Sequence, residues 1–226
     1  FFPGSWGGAK TQYILKASEL TAAGLGAGAI TSLGFDVTSV GQTYQGFRVQ
    51  LGHTTATAMT TTFLTNPLTQ VYLGTLADDG YLPTVGVNTL AFGTGAGSSS
   101  SFVWDGTSNI VVNICWSRVP SATTSTSSTM KVDATGFTSS VYEQSDSTTP
   151  ADMCAKTLGD GTGTSRPQFR FNGVLARPLT SVSWSDGSTE VGTTNPLTVS
   201  PSTSTNYTAS VTANGCTLAT NTVAIT

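Results

Sequence analysis

SFVWDGTSNIVVNICWS, residues 101–117, is the stretch that decides the fold class. It is rich in β-branched and aromatic residues, which favour strands. The Asp105-Gly106 pair is typical of a turn between two strands. Trp104 and Trp116 bracket the apolar strand that follows this turn. We therefore predict two strands here and place both tryptophans in a protein core.

The rest of the chain has the composition of an all-β protein. It contains 42 Thr, 27 Ser, 25 Gly and 9 Pro residues, and 9% of its residues are charged, against about 25% in ordinary soluble domains. Segments such as 30–40 and 44–53 alternate between apolar and polar residues, as half-buried strands do. One short helix is predicted between Ser18, its N-cap, and Gly24. We predict a large antiparallel β-sandwich, jelly-roll-like, over residues 1–175.

A second domain is predicted from SVSWSDGSTEVG, residues 181–192. This segment alternates around Trp184 and then reaches a Ser-Asp-Gly turn, which is typical of a strand followed by a hairpin. Three more strand-like segments follow at the regular spacing of a sandwich. We place the domain boundary near residues 173–178. Residues 176–226 are predicted to form a small Ig-like β-sandwich with Trp184 as its core anchor.

The chain contains three cysteines, an odd number. Cys115 and Cys154 are the candidates for a disulfide, which would form in an oxidising compartment. Cys216 is then unpaired or available to another subunit. The alternative is that all three are buried free thiols. Their spacing matches no zinc-binding pattern.

Two sets of segments resemble known proteins. Residues 11–40 (TQYILKASELTAAGLGAGAITSLGFDVTSV), 102–117 (FVWDGTSNIVVNICWS) and 166–173 (RPQFRFNG) together resemble a β-sandwich module of proteins that Bacteroidota export through the type IX secretion system. Residues 183–226 resemble the Ig-like repeats that follow such modules in surface proteins. The resemblance implies export, a location at the cell surface or outside the cell, and no enzymatic activity. It carries no catalytic residues with it.

The second domain departs from the Ig-like pattern at its beginning. Such repeats usually start with a Cys-bearing segment and a first strand before the Trp strand, but here only VLARPLT, residues 174–180, intervenes. Cys216 therefore lacks its usual partner, and the sandwich is predicted to be incomplete, one strand short. A missing strand exposes backbone groups and apolar core, which a strand from another chain can cover. We therefore expect a non-enzymatic extracellular subunit of a cell-surface filament, with other copies of itself as partners.

Two segments are candidates for the docking strand. The first is FFPGSWGG at the start of the chain, where Phe1, Phe2 and Trp6 are the candidate docking residues. The second lies around residues 120–130, a Ser/Thr-rich stretch that predicts an exposed loop. Because the chain starts with Phe1 rather than Met, we interpret it as a processed, exported chain.

The alternative function is a cell-surface adhesin or carbohydrate-binding module that is monomeric when isolated. Its partners would be surface glycans, and an exposed aromatic residue such as Trp6 would stack on a sugar ring. VLARPLT would then supply the missing strand of the second domain from within the same chain.

Other functions are disfavoured by the composition. The net charge is −3 and the sequence has no basic patch, which argues against binding of nucleic acid. No apolar run is long enough to span a membrane. The single histidine, His53, lies in no serine-hydrolase motif and is expected at the surface. No catalytic residue is predicted.

Two further sites are predicted from short motifs. Asp78 and Asp79, and separately Asp160, lie beside glycines in loops and would offer oxygen ligands to a structural calcium ion. The alternative is that these aspartates only stabilise turns. No other cofactor is predicted. Ser147 lies in an Asp-Ser-Thr triplet that resembles the O-glycosylation motif of Bacteroidota.

Overall fold

The computed structural model of the chain describes residues 6–122, 126–175, 179–194, 196–213, 216–219 and 222–225. The chain divides into two compact units, Phe1–Leu175 (the first unit) and Ala176–Thr226 (the second unit), and each is described by itself. Strands in antiparallel sheets make up nearly all of the regular structure. The prediction of an all-β sandwich fold is confirmed.

Short strands make up most of the first unit, as the many Gly, Ser and Thr residues between its apolar runs predict. They are β1 (Gly8–Leu15), β2 (Gly28–Ile30), β3 (Ser32–Ser39), β4 (Arg48–Thr54), β5 (Thr69–Leu73), β6 (Gly86–Ala91), β7 (Phe102–Trp104), β8 (Asn109–Ser117), β9 (Thr129–Met130), β10 (Val132–Ala134), β11 (Ser140–Ser145), β12 (Gly161–Gly163), β13 (Ser165–Pro167) and β14 (Arg170–Asn172). Two helices are present, α1 (Ala17–Ala22) and α2 (Pro150–Ala155). Across the described parts of the chain, no helix has the length and apolarity needed to cross a bilayer.

Strand β8 lies in the middle of a six-stranded sheet with the order β12-β11-β1-β8-β4-β5. Alternate residues from Ile110 to Trp116 point into the main core. Val111 points to the opposite face, where it packs in a second cluster with Met59 and Phe63. Both faces of the strand are therefore covered, which explains why its sequence is a nearly continuous apolar run instead of an alternating one.

The opposite layer of the first unit is built around β3, which lies between β14 and β6 and also pairs with β9. Leu33, Phe35 and Val37 alternate along β3 and enter the main core. Two further pairs, β10–β13 and β2–β7, flank these layers. Trp104 and Trp116 are 1% and 0% exposed, so their predicted place in the core is confirmed.

Helix α1 begins earlier than predicted. Its N-cap is Lys16, not Ser18, because the Glu19 carboxylate reaches back and accepts a hydrogen bond from the Lys16 backbone N–H at 2.8 Å. Gly24 follows the helix with a φ of +87°, a left-handed conformation that favours glycine. The predicted end of the helix is therefore confirmed, and its predicted start is wrong.

Helix α2 is not among the elements predicted from the sequence. Thr149 is its N-cap and accepts from the Asp152 backbone N–H at 3.4 Å, and Pro150 occupies the first helical position. Thr followed by Pro is a known start signal for helices. The signal is therefore present, although the helix has only six residues.

The second unit contains a single sheet in its described part. Its strands are β15 (Leu179–Ser185), β16 (Glu190–Gly192), β17 (Thr205–Ala213), β18 (Cys216–Ala219) and β19 (Val223–Ile225). Their order is β16-β15-β17-β18, and β19 pairs with the other half of the β17 edge that β18 occupies. Residues 193–204 contain no described strand, and Pro196 and Pro201 restrict strand pairing there. The described strands thus form one antiparallel layer instead of two facing sheets.

The Ser/Thr-rich stretch 121–129 is less exposed than predicted. Ser128 is buried, its Oγ accepts from the Gly41 backbone N–H at 2.8 Å, and its own N–H donates to the Tyr44 hydroxyl at 2.7 Å. Thr126 accepts from the Gln42 backbone N–H through its carbonyl oxygen. The prediction of an exposed loop is therefore wrong at Ser128, where hydroxyl side chains satisfy buried backbone groups, whereas Thr126 and Thr129 are exposed.

Candidate functional site

A cleft of about 380 Å³ opens between the six-stranded sheet and the opposite layer of the first unit. Side chains of β1 and β11 form one wall, and residues of β9, β10 and β13 form the other. We call it the polar cleft, and its defining residues are Thr11, Tyr13, Ser140, Tyr142, Gln144 and Arg166. Its volume falls in the lower part of the usual range for small-molecule sites, about 300–1,000 Å³.

The strand register explains how one wall of the polar cleft is assembled. Strands β1 and β11 are antiparallel neighbours, with Thr11 opposite Tyr142 and Tyr13 opposite Ser140. Residues directly opposite each other share a face of the sheet. Gln144 lies two residues beyond Tyr142 and therefore points the same way. Five side chains of two neighbouring strands thus meet on one face.

Two polar groups in the polar cleft are free to bind a ligand. The Ser140 hydroxyl already donates to the Ser165 carbonyl oxygen at 3.3 Å, and the Gln144 backbone N–H donates to Asp160 Oδ2 at 2.9 Å. By contrast, the Tyr142 hydroxyl and the Gln144 carboxamide make no hydrogen bond to any described residue. Both side chains are half-buried, so they are accessible yet held in place.

The charge of Arg166 is neutralised where it lines the polar cleft. Its Nη1 donates to the Ile14 carbonyl oxygen at 2.6 Å, and its Nη1 and Nη2 bind the two carboxylate oxygens of Glu19 at 3.0 and 2.7 Å. Burial raises the pKa of Glu19, but hydrogen bonds from Arg166 and Lys16 outweigh it and hold that pKa below its ordinary value. The polar cleft therefore presents hydroxyl and amide groups without a free charge.

A second groove, also of about 380 Å³, adjoins the polar cleft at Arg166 and Pro167. It lies between α1 and β14, and its apolar lining includes Leu20, Phe169 and Phe171. It also contains the charged side chains of Asp133 and Arg170, so unlike the polar cleft it is not a neutral site.

The second unit has an open sheet edge. Strand β15 pairs with β17 along its whole length, but with β16 only at Trp184 and Ser185. No described strand pairs with the remaining edge of Leu179–Ser183, which we call the open edge. Unpaired backbone groups of this kind form a template for an added strand.

One face of the second unit's sheet is apolar and incompletely covered. Trp184 lies opposite Ala209, and Val223 lies opposite Tyr207, so these residues share one face. Ala209 and Tyr207 are buried, but Trp184 is only half-buried and Val223 is 54% exposed. The Trp184 indole N–H donates to the Thr194 carbonyl oxygen at 3.0 Å. Trp184, the predicted core anchor, is thus only half-buried on this incompletely covered face.

The structure describes one of the three predicted docking residues. Phe1 and Phe2 lie outside the described residues. Trp6 is described and is 41% exposed. From Gly7 onward the chain is fastened to the first unit, since the Gly7 backbone N–H donates to Asp146 Oδ1 at 2.8 Å.

The cysteine prediction is confirmed for its first pair. Cys115 of β8 and Cys154 of α2 form a disulfide with Cα atoms 5.2 Å apart. Cys216 begins β18 and lies opposite Ala213 in the ladder with β17. Its role as an unpaired or inter-subunit cysteine stays a prediction.

The aspartates proposed for calcium act as turn and loop residues. Asp78 and Asp79 have φ values of +57° and +52°, and their carbonyl oxygens accept backbone N–H groups of Gly46 and Phe47. Asp160 accepts the Gln144 backbone N–H described above. Among the residues described, no group of three or more His, Cys, Asp or Glu is placed to hold a metal ion. These contacts support the turn role, and a calcium site stays a prediction.

The structure also describes the surroundings of Ser147 and His53. Ser147 is exposed in the turn that follows β11, so it is accessible to modification, and its O-glycosylation stays a prediction. His53 lies within β4 and is half-buried, with its ring 4.8 Å from that of Phe102. The expectation of a surface histidine is therefore wrong, because this end of β4 packs against β7.

Lys10 is a buried cation that sequence reasoning misses. Its Nζ donates to the carbonyl oxygens of Cys154 at 2.9 Å and Lys156 at 2.7 Å, and lies 4.5 Å from the centre of the Phe63 ring. Burial lowers its pKa from 10.5 to about 8. A lysine in an alternating strand predicts a solvent-facing residue. Nothing in the local pattern reveals that the end of α2, 144 residues further along, lies over it.

Comparison with known proteins identifies no relative. No protein-family model, curated protein or solved structure matches the chain.

Alkaline pH is expected to destabilise the first unit above about pH 10, the ordinary pKa of tyrosine. Burial raises the pKa values of Tyr13, Tyr44, Tyr72 and Tyr81 above that value. Between pH 10 and the higher folded pKa values, the unfolded chain releases phenolic protons that the folded chain keeps, so stability falls as pH rises. The loss is at most about 1.4 kcal/mol per pH unit for each tyrosine.

Urea unfolding followed by far-UV circular dichroism at pH 8, 10 and 11 measures this loss. A Tyr13→Phe variant is the control, because it should show a shallower decline above pH 10. Equal slopes for the two proteins would contradict the assignment of Tyr13.

Proposed function

We propose that the protein is a non-enzymatic extracellular structural protein, a subunit of a cell-surface filament in which a segment of one copy docks on the second unit of the next. The observation that carries this proposal is the open edge at Leu179–Ser183, next to an apolar face that the chain covers only in part. Added strands stabilise such a surface twice, through main-chain hydrogen bonds and through burial of side chains.

The open edge fits a short donor. It is five residues long, close to the mean strand length of about 5–6 residues. Residues 1–6, FFPGSW, contain Phe1, Phe2 and Trp6 and directly precede the fastened Gly7. In an extended chain Phe2 and Trp6 share one face, so both would lie on the apolar side of the sheet beside Trp184. Pro3 is tolerated in a strand where its missing N–H points away from the partner.

The internal candidate around residues 120–130 is the less suitable donor. Its second half belongs to the first unit, where Ser128 bonds to Gly41 and Tyr44, and donation would break those contacts. Docking of residues 1–6 breaks none of the hydrogen bonds described for Gly7 and the strand that follows.

Head-to-tail donation gives a filament. The donor and the acceptor are different surfaces of the same chain, so each copy that accepts a segment still offers its own, and such contacts build open polymers when the rotation does not close. A location outside the cell is supported by the Cys115–Cys154 disulfide. It is also supported by the resemblance to exported surface modules of Bacteroidota.

Negative-stain electron microscopy of the purified chain tests the proposal. The intact chain is expected to form filaments, and a variant that starts at Gly7 is expected to remain monomeric. Truncation should stop there, because Gly7 anchors the start of β1. The matched control is a full-length chain with Phe2→Ser and Trp6→Ser. It keeps the backbone hydrogen-bonding groups of the docking segment but loses the two side chains that would pack on the apolar face.

A synthetic FFPGSWGG peptide adds a second measurement. In excess it should cap the open edge and block filament growth, whereas the Phe2→Ser, Trp6→Ser peptide should not. Filaments that persist after truncation would move the donor elsewhere in the chain. Monomers in every sample, including the intact chain at high concentration, would refute the proposed function.

A further inference from the structure

We propose that the polar cleft of the first unit binds a neutral saccharide. This inference does not rest on the filament proposal, because the polar cleft is formed by the first unit alone and the open edge by the second. Hydroxyl and amide groups without a hydrogen-bond partner among the described residues lie there beside aromatic and apolar side chains, in a cleft without free charge.

The accessible aromatic side chain of the site is Tyr142, and the buried Tyr13 lies beside it on the same face of the sheet. Tyr13 is 2% exposed and its ring packs edge-on against Phe169, with ring centres 5.5 Å apart. Tyr142 is half-buried, lies two positions along the wall, and has a free hydroxyl. Tyrosine combines an apolar ring with a polar tip, which suits a ligand that alternates C–H groups and hydroxyls. Met130 of the opposite layer also lines the cleft.

The hydrogen-bonding side of the site comes from Gln144 and Tyr142. The carboxamide of Gln144 offers two donors and an acceptor, and the hydroxyl of Tyr142 offers one donor and accepts as well. A pair of adjacent sugar hydroxyls can donate to and accept from one carboxamide at the same time. A purely apolar ligand would leave these groups desolvated without partners, which is unfavourable.

The charge distribution selects a neutral ligand. Arg166 is the charged residue that lines the polar cleft, and it is already bound by Glu19 and the Ile14 carbonyl oxygen. A phosphate or an acidic sugar would have to break that bidentate pair to be neutralised. A neutral saccharide needs no such rearrangement.

The backbone around the polar cleft disfavours a peptide strand as ligand. Strand β12 already pairs with β11 from Ser140 to Tyr142, and the Gln144 N–H is held by Asp160. Strand addition depends on free main-chain groups, which this wall lacks. Recognition here must use side chains, as it does for a sugar.

A printed array of neutral, sialylated and uronate-containing oligosaccharides, probed with the full-length chain, is the first test. Binding is expected to be confined to neutral glycans. The neutral oligosaccharide with the strongest signal is then used in isothermal titration with the wild-type chain and four variants.

Tyr142→Ala is expected to weaken binding about tenfold or more, and Gln144→Ala about five- to tenfold, since each removes a net hydrogen bond and Tyr142→Ala also removes the ring. Tyr142→Phe keeps the ring and should fold even where Tyr142→Ala does not, and it should weaken binding only a few-fold. Val103→Ala is the matched control at an exposed residue of β7, outside the polar cleft, and should bind like the wild type. Circular dichroism of each variant establishes that it is folded.

Three outcomes would overturn the proposal. The first is an array without any neutral glycan bound. The second is binding that survives unchanged in both Tyr142→Ala and Gln144→Ala. The third is a preference for sialylated or uronate-containing glycans that the Tyr142 and Gln144 variants leave unchanged. None of them bears on filament formation, which is measured separately by electron microscopy of the intact chain and its truncated variant.

Discussion

Replacing Cys154 with serine is expected to lower the free energy of unfolding of the first unit by about 3–4 kcal/mol. The disulfide joins two residues 39 positions apart, and closing a loop of this size in the unfolded chain corresponds to about 4 kcal/mol of lost chain entropy. The bond also fastens α2 to β8, which is the central strand of the six-stranded sheet. Its loss therefore acts on the middle of the fold and not on a free end.

The effect should appear as a drop in melting temperature of roughly 10 °C, since about 1 kcal/mol shifts a domain of this size by 2–4 °C. Scanning calorimetry of the wild type and of Cys154→Ser, without reductant, measures it. Adding reductant to the wild type should bring its melting temperature down towards that of Cys154→Ser. Lys10 still binds the end of α2 in the variant, so the helix should stay in place and the sheet should remain folded.

Cys216→Ser is the matched control. It removes the third thiol and leaves the Cys115–Cys154 bond intact, so the transition of the first unit should not move. A melting temperature that is unchanged in Cys154→Ser, or equally lowered in Cys216→Ser, would contradict the assignment of the stabilising bond.

The main features of the first unit could be predicted from local sequence. The apolar run from Ile110 to Trp116 predicts a buried strand, and it lies at the centre of the sheet. The same run gives no sign of what covers its second face, because Met59 and Phe63 come from a loop about fifty residues earlier. Periodicity reports how much of a strand is buried, but not by which elements.

The polar cleft could not be predicted for a related reason. Tyr142 and Gln144 look like ordinary residues of an alternating strand, and Thr11 looks like a surface threonine of another. Only the pairing of β1 with β11 brings them together, and pairing across more than a hundred residues leaves no trace in a short window of sequence. Arg166 is neutral in effect because Glu19 is nearby in space, which again no local pattern shows.

The Cys115–Cys154 disulfide could be predicted from the sequence because three cysteines allow few pairings. The partial burial of Trp184 could not be predicted in this way. Trp104, Trp116 and Trp184 all lie in strand-like segments, and each segment predicts a core residue. The structure buries two of them and leaves the third half-covered, because the second unit offers only one described sheet to pack on it.

Because Trp116 is fully buried, its truncation is expected to have the second large effect on stability. Trp116→Ala is expected to lower the free energy of unfolding of the first unit by about 3–5 kcal/mol, the usual range for truncating a buried Trp or Phe. Trp116 is 0% exposed, and its ring lies 4.7 Å from that of Tyr44 in an edge-on contact. Truncation leaves a cavity that the strands of the central sheet are too constrained to fill.

Trp116→Phe separates packing from hydrogen bonding at this position. The Trp116 indole N–H is buried and makes no hydrogen bond to a described residue, so phenylalanine removes an unsatisfied donor while it keeps most of the ring. Its loss of stability should be about 1–2 kcal/mol, well below that of Trp116→Ala, because phenylalanine leaves a smaller cavity than alanine does. Trp184→Ala should leave the unfolding of the first unit unchanged, because Trp184 belongs to the second unit.

Denaturant unfolding followed by far-UV circular dichroism compares the three variants without relying on tryptophan fluorescence. The expected order of stability for the first unit is wild type and Trp184→Ala together, then Trp116→Phe, then Trp116→Ala well below. If Trp184→Ala destabilised the first unit as much as Trp116→Ala does, the two units would not unfold independently. A half-buried tryptophan would then contribute as much stability to the first unit as a fully buried one, which would contradict the expectation from the burial of the two residues.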